Sequence, residues 1–191
     1  LRELDLGYNQ LSGVITEDIM ASSLRFLDLS HNKLTGTLPD GQLSLLISFD
    51  ASFNQLQGDL PLSTNFQLLS SLKLNDNNFT GVWRIHANFL SQIDISNNAL
   101  SFRLDSLEHF TSLVSLLAAN NSITGDPGSL DVLKQLALLD LTDNDLSALS
   151  LGRVRTMFKN RLQMLSISNN TNMPVIGDMT ETGPWRTTLN Q

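Results

Sequence analysis

The chain has 191 residues, 41% of them hydrophobic, and a formal net charge of −7. That balance argues against nucleic acid and against an anionic membrane surface as partners, since both repel an acidic protein. There is no cysteine, hence no disulfide framework, thiolate metal site or thiol nucleophile, and no apolar run approaches the roughly 18 to 20 residues that span a bilayer.

One pattern recurs from the first residue onward. Leu1, Leu4, Leu6, Asn9, Leu11 and Gly13 set a frame that returns as Leu24, Leu27, Leu29, Asn32, Leu34 and Gly36, then as Leu46, Phe49, Ala51, Asn54, Leu56 and Gly58. It continues with substitutions, and its asparagines fall at Asn9, Asn32, Asn54, Asn77, Asn98, Asn121, Asn144 and Asn170. A period of this length with this leucine spacing marks an array of leucine-rich repeats. The expected fold is therefore an α/β repeat: a curved solenoid of about eight repeats of 21–26 residues, with a parallel concave β-sheet and a convex side of short 3-10 turns and loops. Residues 1–170 form the array, and residues 171–191 read as a partial ninth repeat or a capping tail.

Each position in the frame has a physical role. The LxL segment alternates apolar and polar residues, the period of a half-buried strand. The turn after each strand leaves backbone groups outside the sheet, and buried groups of that kind must be paired. The eight asparagines, whose amides carry both donors and an acceptor, are expected to pair them as a ladder from repeat to repeat. On the outer half, Phe66, Phe89, Phe110 and Phe158, with Leu43 and Leu133 in the same place, predict an apolar spine. Trp83 stands where a core residue belongs, and the longer seventh repeat predicts a helix within Leu149–Arg161.

Gly13, Gly36, Gly58, Gly81 and Gly125, with Leu38-Pro39 and Leu60-Pro61, give the chain its resemblance to the plant-specific leucine-rich repeat, LxxLxLxxNxLxGxIPxxLxxL. The family so resembled includes ectodomains of plant receptor-like kinases and receptor-like proteins, and secreted polygalacturonase inhibitors. The resemblance implies a non-enzymatic recognition module, extracellular or at the cell surface, that binds a protein or peptide, or a glycan, on its concave or lateral face. An intracellular repeat scaffold in the cytoplasm and a secreted enzyme inhibitor are the alternatives. The fifth, seventh and eighth repeats depart from the pattern, with Phe102, Ala148 and Pro174 in place of the glycine. The paired cysteines of family caps are also absent, so the chain reads as a piece of a longer protein whose uncapped ends favour self-association.

No constellation for catalysis, metal or cofactor converges: His31, His86 and His109 lie on different repeats. A column on the strand face runs Asp5, Asp28, Asp50, Lys73, Asp94, Leu117, Asp140, Ser166, of which the first three form a like-charge row. Beside it Tyr8, Phe26, His31 and Phe53 are expected to face outward, and aromatics flanked by charge are enriched at binding hot spots. The expected concave binding surface is thus Tyr8, Phe26, Asp28, His31, Asp50 and Phe53, with Leu117, Leu138 and Met164 as a second apolar patch. Sequons at Asn78, Asn120 and Asn169 offer glycosylation acceptors in a secreted protein, at the number that composition alone produces.

Overall fold

The computed structural model describes residues 1–20, 23–39, 45–60, 66–83, 85, 87–170, 173–176 and 187–188. Leu43, Pro61, His86 and most of the tail beyond 170 therefore lie outside the described residues.

Because every repeat places LxL at the same point of its frame, the three-residue strands stack in sequence order. Glu3–Asp5, Phe26–Asp28, Ser48–Asp50, Ser71–Lys73, Gln92–Asp94, Ser115–Leu117, Leu138–Asp140, Met164–Ser166 and Thr187–Thr188 form one parallel sheet, each paired with the next. The register is that of the repeat itself: Leu4, Leu27, Phe49, Leu72, Ile93, Leu116, Leu139 and Leu165 lie side by side. From Leu27 onward these residues are buried, whereas Leu4, on the first strand, is partly buried. The last pairing sets Leu165 against Thr187, so nine strands at ~4.8 Å give a concave wall about 38 Å long.

A second parallel sheet follows the asparagines: Ser12–Val14, Lys33–Gly36, Gln55–Asp59, Asn78–Gly81 and Ala99–Leu100. The reading of the outer half as turns and loops does not contain it. Its strands carry the repeat glycines, and Gly13, Gly36, Gly58 and Gly81 all have positive φ, between 77° and 96°. At Gly36 a Cβ would also sit 2.9 Å from Val14 Cγ1 of the preceding repeat. That combination of left-handed backbone and close approach explains why the position takes glycine. In the fifth repeat Phe102 replaces it, and there the sheet shrinks to two residues and then to a single bridge, Arg103 with Thr124.

Beyond that point helices carry the convex side. Leu104–Leu107 and Pro127–Val132 are 3-10 turns, and the seventh repeat holds helix α1 (Leu151–Asn160), inside the predicted span. Leu151, Val154 and Met157 are its buried face, at the i, i+3, i+6 spacing of one helix side. Under the convex side Phe66, Phe110 and Leu133 are buried and Phe158 packs partly against the core. Trp83 is buried as well: its indole donates to Ile85 O at 3.0 Å, and its ring meets Phe110 edge-on at 5.8 Å. Phe89 departs from the expected spine, being 59% exposed. Ile85, Ala87 and Leu90 are the buried apolar residues of that stretch instead.

Candidate ligand-binding surface

The turn that ends each concave strand shapes the surface. Asn32, the second rung, accepts from Leu11 N at 2.9 Å and donates to Leu6 O, Leu29 O and Ser30 O. Asn54, Asn77, Asn98, Asn121, Asn144 and Asn170 repeat this arrangement, each accepting from an N–H and donating to a carbonyl of the repeat before it. Asn9 donates within its own turn, to Leu6 O and Gly7 O.

The residue before each rung is left-handed. Tyr8, His31, Phe53, Asp76, Asn97, Asn120, Asp143 and Asn169 have φ between 52° and 56°. They form a column in the turns that follow the concave strands, and Tyr8, His31 and Phe53 stand there, three residues beyond Asp5, Asp28 and Asp50. Asn and Asp tolerate this conformation and aromatic side chains do so poorly. In the later repeats the column is joined by polar contacts: Asn97 donates to Asp76 at 3.0 Å, Asn120 to Asn97 at 3.2 Å, and Asn169 to Asp143 at 2.8 Å. In the first three repeats it is a stack of rings. Tyr8 lies on His31 at 4.0 Å and His31 on Phe53 at 4.2 Å, nearly parallel. Tyr8 is 80% and Phe53 44% exposed. Sequence reasoning missed this second column; its signal is the Asp/Asn run one residue ahead of the ladder.

Phe26, Asp28 and Asp50 do lie on the concave strands. The aspartates also shape the backbone, because Asp5, Asp28, Asp50, Asp94 and Asp140 each accept, through Oδ1, the N–H two residues on. This is the Asx turn, which closes the strand end. At Asp50 the other oxygen, Oδ2, meets Lys73 Nζ at 3.3 Å. Phe26 stands exposed in a concave recess of about 200 Å³ whose walls include Glu3, Asp28 and Asp50. Leu117, Leu138 and Met164 lie at the other end, only Met164 being largely exposed. Of the sequons, Asn78 projects from the second sheet into solvent, whereas the amides of Asn120 and Asn169 are tied into the column of turn residues.

Burial, reinforced by the charge of Asp76, holds the Asp94 carboxyl above its usual value, against the Ser96 hydrogen bonds and Lys73. The folded chain thus keeps this proton more tightly than the unfolded one, so the contribution favours folding in acid and is lost as pH rises through the folded pKa. Asp94→Asn keeps an acceptor for Ser96 N–H and removes the buried charge. It is expected to raise Tm at pH 7 and to lose that advantage near pH ~3, below the usual carboxylate range; thermal melts at the two pH values check it.

Among the described residues no group of three or more His, Asp or Glu could hold a metal ion, and no helix is long and apolar enough to cross a membrane. The Leucine Rich Repeat family matches residues 1–21 and 23–44. No curated protein matches the chain. Among solved structures, the ectodomain of the Arabidopsis receptor kinase HAESA, in complex with an N-terminally extended IDA peptide hormone, is 28% identical over 92% of this chain and 34% of its own, with a TM-score of 0.72. The ectodomain of the receptor kinase GASSHO1/SCHENGEN3 from Arabidopsis thaliana, in complex with CASPARIAN STRIP INTEGRITY FACTOR 2, is 28% identical over 88% and 24%, with a TM-score of 0.68. A plant ice-binding protein is 30% identical over 75% and 49%, with a TM-score of 0.62. The chain thus spans half or less of the length of these neighbours. Frame, asparagine ladder, paired parallel sheets and structural likeness agree: the chain folds as a leucine-rich-repeat solenoid, and its repeats match those of plant receptor-kinase ectodomains.

Proposed function

We propose that the chain is the recognition part of an extracellular or cell-surface receptor-like protein, binding a peptide or protein ligand without catalysis across its first three repeats. The observation that carries this reading is the set of exposed rings there. Tyr8, His31 and Phe53 occupy left-handed positions that the later repeats fill with Asp or Asn, and Phe26 stands on the concave face. Side chains that oppose their local backbone preference are poor choices for stability, and such outliers gather at functional positions. The complexes of the HAESA ectodomain with a peptide hormone and of the GASSHO1/SCHENGEN3 ectodomain with CASPARIAN STRIP INTEGRITY FACTOR 2 support a ligand of this kind. Ice binding, the property of the third neighbour, finds no threonine array here: the concave column beside the aspartates runs Glu3, Phe26, Ser48, Ser71, Gln92, Ser115, Leu138, Met164.

The test selects ligands from a library of random peptides against the immobilised chain. The hits are then measured on a variant carrying Tyr8→Asn, Phe26→Ser and Phe53→Asn, residues that the chain itself uses at these places in other repeats. Hot-spot aromatics cost about 2 kcal/mol or more when removed, so affinity is expected to fall more than ~30-fold while the circular-dichroism melt stays cooperative. Unchanged affinity on the folded variant would overturn the assignment.

A further inference from the structure

The recess around Phe26 specifies the chemistry of the ligand, and this step rests on the recognition reading above. Phe26 is in register with Glu3 on the neighbouring strand, so the two side chains rise side by side from backbones about 4.8 Å apart. Asp28 follows on the same face of the same strand, two residues along. A cation seated over the ring, within the ~6 Å of a cation–π contact, is therefore within reach of both carboxylates.

The Asx turns prepare those carboxylates. Asp28 Oδ1 accepts from Ser30 N at 2.8 Å, which fixes a carboxylate that lines the recess and leaves its Oδ2 without a hydrogen bond among the described residues. One repeat further on, the chain shows what that oxygen accepts: Lys73, the column's own cation, lies against Asp50 Oδ2. Lys73 so neutralises the far end, while Glu3, Asp5 and Asp28 make no ion pair among the described residues. Arg2 and Arg25 stand exposed one column away and pair with none of them.

We propose that this recess takes an arginine side chain of the peptide ligand, its guanidinium lying on the Phe26 ring and pairing with Asp28 and Glu3. Arginine suits it better than lysine, because a planar guanidinium stacks on a ring and its fork of N–H donors serves two carboxylates at once.

The experiment titrates the whole ¹⁵N-labelled chain with N-acetyl-arginine amide and, separately, with the uncharged isostere N-acetyl-citrulline amide. Expected are saturable shifts of the Leu4, Phe26, Leu27 and Asp28 amides with arginine and none with citrulline. Phe26→Ser and Asp28→Asn should each weaken binding by at least about threefold. Asp28→Asn retains the acceptor for Ser30 N, so its fold is preserved. Equal shifts with citrulline, shifts confined to other strands, or wild-type affinity in both variants would overturn the inference. If peptides lacking arginine still bind through Tyr8, Phe26 and Phe53, this inference falls alone. If no peptide binds at all, the recognition reading falls with it.

Discussion

Replacing Asn144 with alanine is expected to remove about 2 to 5 kcal/mol of stability, a large share of what holds a domain of this size together. The rung is 6% exposed. Its Oδ1 takes the Ile123 N–H at 2.9 Å, and its Nδ2 serves Ala118 O at 2.9 Å, Leu141 O at 3.2 Å and Thr142 O at 3.1 Å. Ile123 N has no second partner among the described residues, and Ala118 O keeps only a long contact, 3.4 Å from the Asn121 amide. Alanine therefore leaves a buried donor unpaired and a buried acceptor weakly served, and each such group costs about 1 to 3 kcal/mol. The control is Asn9→Ala, at an exposed rung that bonds only within its own turn, where the loss should stay near or below ~1 kcal/mol. Urea unfolding of the two variants separates them. Equal losses would mean that the asparagines act by turn propensity alone, not by coupling one repeat to the next.

The same residues show why the frame was legible and the binding surface only partly so. An apolar side chain at a fixed offset in eight repeats can only face a shared core, and an asparagine at a fixed offset after it can only belong to a repeated turn, so the concave sheet follows from spacing. The second sheet does not. Its strands are two to five residues long, too short for alternation to register, and their mark is a glycine whose positive φ says nothing about pairing. The position of Tyr8, His31 and Phe53 was hidden for a related reason. Backbone handedness is readable where Asn or Asp sits, as at Asp76 and Asn97, and is masked where an aromatic ring reads as an outward strand residue. Asp28 and Asp50 were legible as a charged column, while their work as turn acceptors depends on a bond to a backbone N–H that composition cannot show.

Spacing and burial part company at the outer phenylalanines, and a paired substitution measures which of them governs. Phe110→Ala is expected to cost about 3 to 5 kcal/mol, the range for emptying a buried aromatic site. Phe110 is fully buried, and the edge of the Trp83 ring from the preceding repeat rests against it, with Trp83 in turn 5.9 Å from Phe102. The cavity would therefore open between repeats, where a solenoid has its nearest-neighbour coupling. Besides a lower midpoint, the melt should broaden toward two transitions, and hydrogen exchange should rise in Gln92–Asp94 and Ser115–Leu117 before the outer strands. Phe89→Ala, at a position with the same spacing but 59% exposed, should shift stability by no more than ~0.5 kcal/mol. Comparable losses at the two positions would contradict this packing, because they would require Phe89 to be buried as Ile85, Ala87 and Leu90 are.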